Sequence, residues 1–231
     1  MTTYVLVHGA WAGAWVWHDV RPLIWRAGFE VYTPSLSGQS ERIHIGGPHI
    51  NLTTHIEDVK KLIEFEDLSD VVLVGHSYGG MVITGLADLI PQRLKHVVFL
   101  DAFMPKDGES VMDIASGFEY TVEDGWRLVR LPATPAANAT PSPIQRIFGH
   151  PVGTMQERVH LSVPLEQRDF ALTYIKATQP PRGEPGSQEA FWTALERAEA
   201  SPRWQTVGMD TTHNIQITMP NELGEILLKM G

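Results

Sequence analysis

Cysteine is absent from this 231-residue chain. Disulfides, thiolate metal sites and cysteine nucleophiles are therefore excluded from its chemistry. Long apolar runs are also missing, and none approaches the ~20 residues that span a bilayer. Met1-Thr2-Thr3-Tyr4 has none of the basic residues that open a signal peptide and passes straight into an apolar stretch. These absences set the expectation of a cytoplasmic protein with no membrane partner. Positive charge is scarce as well: Lys and Arg total 18 against 27 Asp and Glu, for a net charge of −9. Such a balance disfavours nucleic acid as a partner. Histidine is plentiful at ten, yet His44, His49 and His55 fit no compact ligand spacing. They are read as surface-loop histidines, and neither a metal nor another cofactor is expected.

What is present points to a folded α/β chain. Hydrophobic residues make up 43%, and the length suits one α/β domain with a sizeable core. Tyr4-Val5-Leu6-Val7 reads as a short buried strand followed by the small-residue turn His8-Gly9-Ala10-Trp11-Ala12-Gly13. A helix is expected from about Ala14 to Ala27, ended by Gly28. A strand over Glu30–Pro34, a helix from Leu52 to about Glu66, and strands at Val71–Val74 and His96–Leu100 follow. This alternation predicts a parallel sheet with helices on both faces. Pro105 to about Glu166 breaks the pattern with Pro132, Pro135, Pro141, Pro143, Pro151 and Pro164. It is read as a cap inserted over the sheet edge, giving one domain over 1–231 with core 1–104 and 167–231 and cap 105–166. The α/β order resumes at Leu172–Ile175, with a helix near Gln188–Ala200, a strand near Trp204–Val207 and a last helix near Asn221–Met230.

The chemistry centres on Val71-Val72-Leu73-Val74-Gly75-His76-Ser77-Tyr78-Gly79-Gly80-Met81. A continuous apolar strand runs into Gly-x-Ser-x-Gly and then a helical pattern. A tight strand-to-helix turn leaves no room for Cβ atoms at Gly75 and Gly79 and exposes the Ser77 hydroxyl at the sheet end. A serine needs an adjacent base to act as a nucleophile. His213, in the loop between the last strand and the last helix, is the candidate. His8 and His76 sit beside the same turns and are expected to pack there. The acid that orients the base is read as Asp101, directly at the end of the strand after Ser77's, with Glu184, in the loop after Leu172–Lys176, as the alternative. Glu184's alternative is a surface charge paired with Arg182, and Asp210 reads as a turn residue. An oxyanion would meet the backbone N–H of Tyr78 and that of Ala10, with Trp11 as second choice. Trp11 and Phe103 lie in these turns and are the candidate pocket residues. Trp15, Trp17, Trp126, Phe118 and Phe148 are further aromatics available to such a pocket.

Val5-Leu6-Val7-His8-Gly9-Ala10-Trp11, Val72-Leu73-Val74-Gly75-His76-Ser77-Tyr78-Gly79-Gly80 and Leu100-Asp101-Ala102-Phe103-Met104-Pro105 resemble the bacterial α/β-hydrolase esterases, relatives of plant methylesterases and hydroxynitrile lyases. The resemblance implies the α/β-hydrolase fold and a serine hydrolase with Ser77 as nucleophile and His213 as base. It covers the core; the cap is similar in position and size. The plant branch carries its acid after the strand holding Tyr174-Ile175, and this chain has no Asp directly after Thr178. Bacterial relatives carry an Asp where Asp101 stands. Lyases of this fold have a lysine beside the catalytic histidine and a threonine after the first-strand histidine, where this chain has Asn214 and Gly9. The expected activity is hydrolysis of carboxylic esters of small, mostly apolar substrates through an acyl-enzyme. A non-hydrolytic receptor or a lyase-like enzyme are the alternatives, and the sequence leaves a homodimer open.

Overall fold

The computed structural model describes residues 2–115, 120–129, 149–184 and 188–231. In chain order, β1 (Thr3–Val7), a 3-10 turn (Ala14–Trp17), α1 (Arg21–Arg26) and β2 (Glu30–Tyr32) come first. Then follow α2 (Leu52–Phe65), β3 (Val71–His76), α3 (Gly79–Leu89) and β4 (Leu94–Leu100). The helix expected over residues 14–27 is thus two pieces. Pro22 lacks the N–H that would bond back one turn, so it ends continuity with the first piece and sits in the opening turn of α1. Helix α2 starts where Asn51 accepts from the Thr54 N–H and Thr54 reaches back to the Asn51 N–H, a reciprocal cap.

Between β4 and β8 (Ala171–Ala177) lie α4 (Val111–Ile114), three short strands and α5 (Gly153–Gln156). The strands are β5 (Thr121–Glu123), β6 (Arg127–Val129) and β7 (His150–Pro151), paired antiparallel in a small separate sheet. This is the region read from sequence as the cap. It is tied to the turn after β1 by the Trp11 indole, which donates to the Leu128 carbonyl at 2.9 Å, and to α2 by Glu157, which accepts from the Thr53 N–H and hydroxyl. Phe118, Phe148 and the prolines at 132, 135, 141 and 143 lie outside the described residues. The chain closes with α6 (Glu189–Glu199), β9 (Trp204–Met209), α7 (Ile215–Thr218) and α8 (Pro220–Leu228).

The main sheet has the order β2-β1-β3-β4-β8-β9, and every pair is parallel. The two-residue period of each strand splits the core in two. Val5, Val7, Leu73, Val97, Phe99 and Tyr174 pack with α2, α3 and α6. Tyr4, Leu6, Val72, Val74, Val98 and Leu100 pack with α1 and α8 on the other face. With β1 flanked by β2 and β3, the chain winds in opposite directions from the β1/β3 junction. Ligands of open parallel sheets bind beyond the carboxyl ends of the strands at such a switch point. The turn after β1 and the turn carrying Ser77 both lie there. No helix among the described residues is long and apolar enough to cross a membrane.

Candidate active site

Ser77 occupies a left-handed backbone conformation, φ 55°. Its N–H donates to Leu100 O, and its carbonyl accepts from the N–H groups of Gly80 and Phe103. These bonds lock the strained turn between β3 and the end of β4. The glycines answer to close approaches. A Cβ on Gly75 would stand 2.7 Å from Gly79 O, one on Gly79 would stand 2.9 Å from Val7 O, and one on Gly80 would stand 2.0 Å from Phe103 O. All three approaches are to backbone, which cannot swing away, so a larger residue would displace the turn. Around it β3 and the start of α3 are buried, and Ser77 alone is partly open.

The structure brings Ser77, His213 and Asp101 into one hydrogen-bonded line. His213 Nε2 lies 3.0 Å from Ser77 Oγ, and His213 Nδ1 lies 2.6 Å from Asp101 Oδ2. An ionised carboxylate only accepts, so the Nδ1 atom carries the proton and Nε2 is left to accept from the serine hydroxyl. Asp101 ends β4, also with a left-handed backbone (φ 42°), pinned by its N–H to Ile175 O at 2.7 Å. Glu184 is exposed in a turn, and its N–H donates to Pro181 O. It makes no contact with His213. Its alternative reading needs correction too: Arg182 pairs with Glu189 and Glu196 instead. Asp210 accepts from the Gln179 amide at 2.7 Å.

Burial pushes the Asp101 carboxyl up, but the hydrogen bond and charge of His213 and the charge of Lys176 outweigh it and hold the group below its ordinary value. Lys176 carried no expectation from sequence. Its ammonium lies 2.8 Å from Asp101 Oδ1, with both side chains almost wholly buried. Phe191 was also missed; its ring stacks on the His213 imidazole at 5.0 Å and 6°. A signal existed for the lysine, since it is the lone charge within the mostly apolar run Leu172–Ala177. None existed for Phe191, because stacking across helix and loop depends on tertiary placement.

His76 and His8 pack as expected, and their partners show how. His76 Nε2 donates to the His213 carbonyl at 3.0 Å, and Gln216 lies 3.3 Å from His76 Nδ1. His8 Nδ1 donates to Gly9 O and its Nε2 accepts from the Leu36 N–H. Burial is the main cause that lowers His8 to about 4 and His76 to about 3. His55 departs from the surface-loop expectation. It is buried in α2, where Nδ1 accepts from the Tyr78 hydroxyl and Nε2 donates to Ser37 O. Its place on the inward face of an amphipathic helix overrides its polarity, and burial lowers it to about 4. His44 and His49 are exposed.

Among the described residues, neither the Tyr78 N–H nor the Ala10 N–H has an acceptor. Trp11 has a left-handed backbone (φ 56°) and is half-buried against the small sheet. Phe103 packs on Phe191 at 4.8 Å, close to His213. Trp17 is wholly buried in the core beneath the sheet and does not line the site. Trp126 lies over Gly46.

A parallel sheet with a strained serine turn at its switch point, facing a histidine paired to a carboxylate, defines the architecture of an α/β hydrolase. The chain belongs to the alpha/beta hydrolase family, whose model matches residues 4–221. It is 32% identical over the full length of both chains to a carbendazim hydrolyzing esterase from Nocardioides sp. (strain SG-4G). An alpha-hydroxynitrile lyase from Arabidopsis thaliana is 40% identical over 44% of this chain and 40% of its own. Among solved structures, an extracellular alpha/beta-hydrolase from a Paenibacillus species superposes with a TM-score of 0.74 at 25% identity, covering 100% of this chain and 99% of that one. Full-length kinship with an esterase makes the chain a carboxylic ester hydrolase.

Proposed function

We propose that the chain hydrolyses carboxylic esters of small, mostly apolar substrates through an acyl-enzyme on Ser77. The observation that carries this reading is the 3.0 Å and 2.6 Å hydrogen-bond line from Ser77 through His213 to Asp101. Ser77 Oγ attacks the ester carbonyl while His213 Nε2 accepts its proton. Asp101 holds the ring in the Nδ1–H tautomer and offsets the positive charge that develops on it. The tetrahedral oxyanion takes the free N–H groups of Tyr78 and Ala10. Collapse returns the proton from His213 to the alkoxide, and the alcohol leaves. Water, deprotonated by His213, then attacks the acyl carbonyl, and Ser77 is regenerated as its oxygen takes the proton back.

Phe191, stacked on His213, and Phe103, packed on Phe191, support an apolar substrate, since they place rings rather than charges beside the reacting groups. The lyase alternative draws no support from the histidine's neighbour, Asn214, which cannot supply a cation. A fluorophosphonate probe tests the reading. The expected result is one adduct per folded chain, on the peptide carrying Ser77, lost in S77A. Absence of that adduct refutes the serine mechanism. Short p-nitrophenyl esters, and carbendazim itself, are suitable substrates for the turnover assay.

A further inference from the structure

A lysine buried in the middle layer of a parallel sheet calls for a reason. Lys176 is 3% exposed and lies between Ile175 and Ala177 on β8. Desolvating an ammonium is costly, and a buried ion pair is often no better for stability than apolar residues of the same volume. Fold stability therefore gives no reason for a charge here. The contacts of Lys176 are all directed. Its ammonium donates to Asp101 Oδ1 at 2.8 Å and to the Ala177 carbonyl at 2.5 Å, and it stands 4.4 Å from the centre of the Trp192 ring. The two carboxylate oxygens of Asp101 are thereby divided: Oδ1 takes Lys176 and the Ala177 N–H (3.3 Å), while Oδ2 takes His213.

We propose that Lys176 is a positioning residue for the reaction: it anchors Asp101 as an anion with one oxygen turned to His213, and its charge opposes the charge that His213 gains. This rests on the Ser77–His213–Asp101 reading. Asp101 is 1% exposed, so no solvent stabilises its charge. An unaccompanied carboxylate in such a place tends to take up a proton, and a neutral acid would no longer stabilise an imidazolium. The lysine prevents this. Its second effect has the opposite sign. In the transition state one carboxylate serves two cations, so the imidazolium is harder to form than beside a lone aspartate. Without Lys176 the Asp101–His213 pair would take up a proton more readily, whichever partner receives it.

The surroundings leave few competing charges. His213 is faced by Ser77 and His76 from the end of β3, by Asp101 from β4 and by Phe191 from α6. Asp101 is faced by Lys176 and Tyr174 from β8. Burial keeps His76 neutral and Tyr174 protonated. Lys176 is the one fixed cation in contact with the Asp101–His213 pair among the described residues.

The test is the kcat/KM profile of the full chain on a short p-nitrophenyl ester from about pH 4.5 to about pH 9, for wild type, K176M, K176Q and K176R. In K176M the acidic limb should move up by about one pH unit, equivalent to a tenfold change in proton affinity. Plateau kcat should fall about tenfold with KM nearly unchanged, because Asp101 Oδ2 is no longer held toward His213. K176R keeps the cation and should keep the wild-type limb. If K176M does not fold, K176Q, which retains length and a donor without charge, must show the same shift. A limb within about 0.2 units of wild type in either folded neutral variant overturns the proposal. Fluorophosphonate labelling run alongside separates the two readings. An unlabelled wild-type Ser77 removes the triad itself, whereas a labelled Ser77 with an unmoved limb removes only the role of Lys176.

Discussion

Histidines stand on both sides of Ser77, and the two groups live in opposite surroundings. On one side His213 is 23% exposed and bonded to an anion. On the other, His8 and His55 are wholly buried and bonded to neutral groups: the Gly9 carbonyl and Leu36 N–H for one, the Tyr78 hydroxyl and Ser37 carbonyl for the other. His150 joins them, 2.6 Å from Thr154 Oγ1 and 4.8 Å from the Tyr78 ring. Burial is the first cause that lowers all three of these buried histidines. Closeness to Ser77 in sequence or space thus does not by itself equip a histidine to act as a base. A base needs a carboxylate to stabilise its charged form and an opening through which the proton can move. The buried group does structural work instead, joining α2, the turn after β1 and the small sheet.

The largest effect that can break this contrast is on turnover. H213Q should lower kcat/KM by at least ~10³-fold, while H55Q, which retains a donor and an acceptor, should stay within about tenfold of wild type. Equal losses would erase the distinction. The acid comes next. D101N should cost about 10²- to 10⁴-fold in kcat, because an amide cannot enforce the Nδ1–H tautomer. E184Q should change kcat less than about twofold, since an exposed turn carboxylate away from the base takes no part. Kinetics of the two purified variants decide this.

Stability against pH sharpens the contrast further. His8 and His55 fall to about 4 and His76 to about 3 in the folded chain, against 6.5 in the unfolded one. Between those values the unfolded state binds more protons. The stabilisation is therefore complete above about pH 6.5 and is lost as pH falls towards 4 for His8 and His55 and towards 3 for His76, on the order of 3 kcal/mol for each of the first two and roughly 5 kcal/mol for the third. Urea midpoints measured at several pH values should fall steeply through this window, and H55Q should reduce the slope. The smallest effect is Y78F, which removes the hydroxyl partner of His55 and leaves the backbone oxyanion donor in place. About 1 to 2 kcal/mol of stability should be lost with kcat nearly unchanged.

Local pattern carried much of this architecture. The apolar runs Tyr4–Val7, Val71–Val74 and Val97–Leu100 mark buried strands, and the glycines around Ser77 have few alternatives because backbone crowds backbone there. His213 followed from its place between the last strand and the last helix. Asp101 was preferred in sequence because it directly follows its strand, but Glu184 also follows one; the 2.6 Å approach of Asp101 to His213 depends on how β4 meets the His213 loop. Lys176 and Phe191 act across elements distant in the chain, where no spacing rule reaches. His55 misled because its neighbours His44, in a short 3-10 helix, and His49, in a turn, are exposed, while its own helix turns it inward. The first helix broke at Pro22, a residue whose missing N–H was already legible.

The central claim is that Ser77 carries the acyl group and that His213 alone activates it. The most direct measurement mixes excess p-nitrophenyl ester with wild-type enzyme and quenches in acid within the first turnover, followed by peptide mass analysis. The account predicts the acyl mass on the peptide containing Ser77 in wild type, and none within the same time in H213Q. Steady release of p-nitrophenol with Ser77 unmodified, or equal acylation in H213Q, would contradict it.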